Sequence, residues 1–102
     1  MTRPVHFEPE AAAELVDAGR WYEEQADGLG AEFIAAVDAT IESISNWPHT
    51  GSPVDGITDG PEVRRAPVDG FPYSVAYAVT GETIQVLAVA HDRRRPAYWT
   101  GR

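Results

Sequence analysis

Near its C-terminal end the chain reads His91-Asp92-Arg93-Arg94-Arg95-Pro96-Ala97-Tyr98-Trp99, and a second pair of cations, Arg64 and Arg65, lies upstream. These side chains could serve two kinds of chemistry. One is metal-free RNA cleavage. It needs a 2′-hydroxyl deprotonated, the phosphorane charge stabilised and the leaving oxygen protonated. Arg64 or Arg65 with Arg93, Arg94 and Arg95 could stabilise the charge, and His91 or Tyr98 could move the protons. The other is recognition of an acidic protein partner. The arginine forks would meet its carboxylates, and Tyr98 and Trp99 would anchor its apolar side chains. A solvated basic tail, with its aromatics packed on the nearest helix, is the bland alternative.

The composition narrows the field. There is no cysteine, which excludes disulfides, thiolate metal sites and cysteine nucleophiles. His6, His49 and His91 are far apart and show no ligand spacing, so no metal and no cofactor is expected. Neither a G-x-S-x-G elbow, a P-loop nor a Rossmann fingerprint occurs, and Gly28-Leu29-Gly30 reads as a turn between helices. The net charge is −8 and unevenly spread. Residues 1–50 hold ten acids against two arginines, whereas residues 93–102 hold four arginines and no acid. All eight cations are arginine. The acidic half opposes non-specific binding to nucleic acid, which depends on neutralising phosphates. No apolar run approaches the ~20 residues that span a bilayer, and no apolar signal region follows Met1, so a cytoplasmic protein without a membrane partner is expected.

The elements that must position these groups follow from periodicity. Residues 1–102 form one domain, large enough to bury roughly 65% of the surface its unfolded chain exposes. Arg3 to Glu8 alternates as a short edge strand, since Pro4 has no amide to donate. Pro9 suits the first turn of a helix to about Gln25, with Glu10 and Glu14 near the positive end of its dipole. Its apolar stripe is Ala12, Leu15, Gly19 and Tyr22, flanked by Val16 and Trp21, and Gly19 allows close approach of the next helix. A second helix, about Ala31 to Ser45, buries Phe33, Val37, Ile41 and Ile44. Asn46 to Gly60 is a Pro-, Gly- and Asp-rich loop, with Trp47 as its expected anchor and His49 exposed.

Three strands follow. In Glu62–Val68, Arg64 and Arg65 must point to opposite faces. In the strand from Tyr73 to Val79, Ser74, Ala76 and Ala78 share a face that either presses on helices or lines a groove. The run Ile84–Ala90 is short, rich in Val and Ile, and reads as a strand buried on both faces that carries His91, beside Leu87 and Val89, to one end of the sheet. The predicted class is α+β: an N-terminal strand and a two-helix hairpin packed on an antiparallel sheet of three further strands (β-α-α-β-β-β), with a short C-terminal tail.

Four segments together resemble the RelE/ParE superfamily of toxins from bacterial type II toxin–antitoxin systems, most closely its ParE branch, also described as plasmid stabilisation proteins. They are Phe7-Glu8-Pro9-Glu10-Ala11 with Glu14-Leu15; Trp21-Tyr22 with Gly28-Leu29-Gly30 and Phe33; Val63-Arg64-Arg65 with Phe71-Pro72-Tyr73 and Tyr77; and Val86–His91 with Arg94, Pro96, Tyr98 and Trp99. The resemblance implies a toxin neutralised by a cognate antitoxin and acting on DNA gyrase without chemistry of its own. Operator DNA would be met only through the antitoxin. Arg64, Arg65, Arg93, Arg94, Arg95, Tyr98 and Trp99 would form the antitoxin- or target-binding surface. The ribosome-dependent mRNA endonucleases of the same superfamily are the alternative, with Arg65, His91, Arg94 and Tyr98 catalytic. The absence of lysine departs from their pattern. A non-toxic partner-binding module is the third reading.

Overall fold

The computed structural model describes residues 3–54, 61–95 and 97–100; residues 55–60 of the predicted loop, together with Pro96 from the tail, lie outside them. Strand β1 (Val5–Phe7) leads directly into helix α1 (Pro9–Gln25), with Pro9 in its first turn where no amide donor is missed. Helix α2 (Leu29–Asn46) returns beside it. The turn between them depends on Gly28, whose φ of 84° lies in the left-handed region. Glu23 accepts hydrogen bonds from Gly28 N at 2.9 Å and Gly30 N at 3.0 Å, so a carboxylate of α1 caps the start of α2. The two helices cross closely: a Cβ on Gly19 would lie 3.1 Å from Ile34, and one on Gly30 would collide with the Gly19 carbonyl. The close approach expected of Gly19 is therefore present, with Gly30 as its counterpart.

Strands β2 (Ser52–Pro53), β3 (Val63–Pro67), β4 (Tyr73–Thr80) and β5 (Thr83–His91) complete a five-stranded sheet in the order β1-β5-β4-β3-β2. The predicted α+β layout holds, with two additions. β1 joins the sheet parallel to β5, with Val5 opposite Ile84 and Phe7 opposite Val86, so the sheet is mixed. A two-residue strand, β2, emerges from the segment read as loop and pairs with Arg64 and Arg65. Two residues carry no readable alternation, which is why the sequence pattern hides it.

Both helices lie on one face of the sheet. There Phe33, Val37, Ile44, Val75, Tyr77, Ile84 and Val86 are fully or almost fully buried, and around Phe33 the Phe71 and Tyr73 rings pack edge-on and the Tyr22 ring packs tilted. The α1 stripe is rotated from the expected one. Ala11, Ala18 and Gly19 are buried, Ala12 is exposed, and Val16 and Trp21 face outward, Trp21 at 55% exposure. Three consecutive alanines, Ala11 to Ala13, leave the phase of this helix unmarked. Trp47 is also no anchor, being 68% exposed. The loop is instead pinned from the sheet by the Tyr77 hydroxyl, which donates to Pro48 O at 2.7 Å and accepts from Gly51 N at 3.2 Å. His49 is exposed, as expected.

The opposite face carries the small residues. Ala76, Ala78 and Ala88 form a second cluster there with Val63 and Trp99. Ile84–Ala90 is thus buried on both sides, as its composition predicted, but the cover on this side is the chain's own tail. A β-bulge separates the halves of β5: Tyr77 pairs with Val86, while Ala76 pairs with Ala88, so Leu87 is the extra residue between the two registers. The extra residue shifts the alternation, so Ile84 and Val86 belong with Val89 to the helix-side core and Leu87 to the opposite cluster. The expected sharing of one face by His91, Val89 and Leu87 fails at Leu87 for this reason.

Candidate functional site

The strand ends and the tail enclose a groove of about 340 Å³. One wall is the β2–β3 edge, with Ser52, Pro53, Val54 and Arg65. The other is the tail, with Arg94, Arg95, Ala97, Tyr98 and Trp99. Ser74, Ala90, His91 and Asp92 lie between them. The first wall is held by the sheet ladder, extended by Val54 N donating to Val63 O at 2.9 Å.

Six of the eight residues singled out in the sequence meet here: Arg65, His91, Arg94, Arg95, Tyr98 and Trp99. Alternation along β3 separates Arg65 from Arg64. Arg64 has left the site. Its guanidinium forks onto Glu62, at 3.0 and 3.2 Å, and donates to His49 O at 3.0 Å and Gly51 O at 2.6 Å. It therefore holds the loop beside Tyr77. Arg93 does not line the groove either; its backbone N–H donates to His91 Nδ1 at 3.0 Å. That bond makes Nδ1 an acceptor, and the imidazole edge packs against Tyr73 with ring centroids 5.1 Å apart.

The tail is organised by its aromatics. Arg94 stacks over the Tyr98 ring, 4.0 Å from its centroid. Trp99 is only 9% exposed, and its indole Nε1 is buried without a hydrogen-bond partner. The Tyr98 hydroxyl donates to Glu14 Oε2, while Glu14 Oε1 accepts from Val89 N at 3.1 Å. Ser74 donates to Asp92 Oδ1 at 2.8 Å, which fixes the strand end from which the tail departs.

Glu14 is the residue that sequence reasoning missed, having read it as a partner of the helix dipole. A signal existed. Glu14 sits three residues after Ala11 and four before Ala18, both buried, so it interrupts the stripe that faces the sheet. The Ser52–Val54 wall was hidden inside the loop.

The electrostatics set three arginines against one groove-lining carboxylate, Asp92. Arg64–Glu62 is the ion pair formed among the described residues, and Arg65, Arg94 and Arg95 present their charge to the groove. Burial raises the hydroxyl pKa of Tyr77, outweighing the Gly51 N–H bond and the nearby Arg64 that lower it. Tyr73 is raised by burial first and then by Tyr22 and Glu14, and Tyr22 by burial alone. Among the described residues no three His, Asp or Glu side chains converge as a metal site requires, and no helix is long and apolar enough to cross a membrane. Chemically, the groove can present hydrogen-bond donors and positive charge to an anionic, partly apolar ligand.

A protein-family model described as the ParE toxin of the type II toxin–antitoxin system, parDE, matches residues 5–96. Among solved structures, the chain is similar to one described as the chromosomal ParDE TA system from P. aeruginosa, with a TM-score of 0.69 and 18% identity over 88% of this chain and 96% of that one. It is also similar to the YoeB dimer from Staphylococcus aureus, with a TM-score of 0.56 and 16% identity over 87% of this chain and 95% of that one. At these identities the two structures speak for the fold alone. No curated protein matches the chain in sequence.

Proposed function

Because the chain belongs to the ParE toxin family of type II toxin–antitoxin systems, we propose that it arrests growth in the cytoplasm by binding DNA gyrase, and that a cognate antitoxin neutralises it by covering the same groove. The observation that carries this reading is the state of the groove's functional groups. Arg65, Arg94 and Arg95 present charge, while of the two candidate proton carriers the Tyr98 phenol is committed to Glu14 and His91 Nδ1 accepts from the Arg93 amide. Such a surface suits recognition of carboxylates more than proton transfer. An acidic, partly apolar antitoxin segment would find its charge partners in those arginines and its apolar contacts at Pro53, Val54 and Ala97. Contact with operator DNA would pass through the antitoxin, since the toxin's own charge of −8 opposes it.

The convergence of Arg65, His91, Arg94 and Tyr98 on one groove supports a second reading, a ribosome-dependent ribonuclease. One experiment separates the two. Cells are induced for the wild type and for an Arg65→Ala/Arg94→Ala/Arg95→Ala variant, and gyrase supercoiling and mRNA ends are read from the same cultures. Growth arrest with lost supercoiling, abolished in the variant, is the expected result. Arrest with intact supercoiling and new mRNA ends would transfer the function to the ribonuclease reading. Absence of arrest would leave a partner-binding module.

A further inference from the structure

The two walls of the groove are built differently. The β2–β3 wall belongs to the sheet. The tail wall leaves it after Asp92, whose N–H donates to Pro72 O at 2.8 Å. Beyond that point the backbone bonds of the described tail residues are local: Arg94 N to His91 O, Tyr98 N to Arg95 O and Thr100 N to Ala97 O. Trp99 supplies apolar burial in a cluster of alanines with Val63 and Leu87, and its Nε1 makes no directional bond. Burial of that kind holds the indole down without fixing where it lies.

We infer that Glu14 is a positioning residue for the groove: through Tyr98 it sets where the tail wall stands and where Arg94 presents its charge. β1 is only three residues long and its pairing with β5 ends at Val86, so among the described residues no strand flanks that β5 edge beyond the bulge. Glu14 fills that place. One carboxylate oxygen accepts the Val89 amide and the other accepts the Tyr98 hydroxyl, joining helix, sheet edge and tail across 84 positions of sequence. The Tyr98 ring, so held, seats the Arg94 guanidinium on its face. A residue of the acidic helix layer thereby controls the cationic wall on the far side of the sheet.

Glu14 thus has two separable duties, and Tyr98→Phe removes only one. It keeps the ring that Arg94 stacks on and retains the Glu14 bond to the Val89 amide. The test uses the full chain with Trp21→Phe and Trp47→Phe, leaving Trp99 as sole indole reporter, in four forms: parent, Glu14→Ala, Tyr98→Phe and the double variant. Acrylamide quenching of Trp99 should rise about threefold in Tyr98→Phe and to the same level in Glu14→Ala and the double variant, as loss of one charge-assisted hydrogen bond allows. Thermal stability should fall in both forms lacking Glu14 and hold in Tyr98→Phe. Should Glu14→Ala fail to fold, Tyr98→Phe alone decides.

The functional arm rests on the toxin reading above. There, the inducer level needed for half-maximal arrest should rise about tenfold, equally in Tyr98→Phe and the double variant. Unchanged quenching in Tyr98→Phe, or a further increase in the double variant, would overturn the inference. Absence of arrest in the parent would instead overturn the toxin reading, with the quenching arm still deciding the role of Glu14.

Discussion

On the helix side of the sheet, Tyr77, Val75, Ile84 and Val86 are sealed by two long helices whose own side chains, Phe33, Val37 and Ile44, reach zero or near-zero exposure. On the other side, Ala76, Ala78 and Ala88 are covered by a few tail residues, chiefly one tryptophan at 9% exposure with an unpaired indole N–H. The first face owes its order to many interlocking contacts, so removing any one side chain is felt throughout. The second owes its order chiefly to one large side chain and, among the tail bonds described, to the one that reaches from Tyr98 to Glu14, so it can open locally while the rest stays folded. The groove arginines, Arg65, Arg94 and Arg95, stand on the second face. The difference teaches that this small domain separates the face that keeps it folded from the face that carries the cationic groove.

Three measurements would break or sharpen that contrast. The largest effect is expected at Phe33→Ala, which empties the centre of the aromatic cluster and should cost about 3–5 kcal/mol in urea unfolding. Trp99→Ala removes a larger side chain yet should cost only about 2 kcal/mol, because the tail can undock without unfolding the sheet. Hydrogen exchange should then speed up in the tail and at Ala88, with α1 and α2 unchanged. Equal costs for the two variants, or faster exchange in the helices of Trp99→Ala, would erase the distinction between the faces.

The smallest effect concerns pH. Tyr22, Tyr73 and Tyr77 all belong to the helix side, and burial raises each hydroxyl above its ordinary pKa of 10.0. The neutral phenol is thus favoured in the folded state. Its contribution to stability is complete below pH 10 and is lost as pH rises through the raised folded values. Urea midpoints should hold steady up to about pH 10 and fall beyond it. Tyr77→Phe should lower the midpoint at neutral pH and flatten the alkaline fall, since it removes the most buried of the three hydroxyls.

Much of this was legible along the chain. Pro9, the Gly28–Gly30 break and the alternation from Tyr73 onward place the elements because each depends on local backbone preference or on side-chain period. The six groove residues were readable as types, since arginine, histidine and tyrosine announce their chemistry wherever they stand. The phase of α1 was not, because three alanines in a row look alike from every side. The Trp47 expectation failed because size alone does not say which face of a loop meets the core.

By itself, then, the sequence determined the class of fold, the order of every element but the two-residue β2, and the separation of an acidic helical half from a cationic end. Only the tertiary structure decided that Arg65 faces the groove while Arg64 braces a loop, because the pleat alternates but does not say which side lies open. It decided as well that the bulge at Leu87 shifts the alternation of β5 before His91. And it decided that Glu14 and Tyr98 meet, since hydrogen-bonding partners that far apart in sequence are chosen by how layers stack, which no local pattern records.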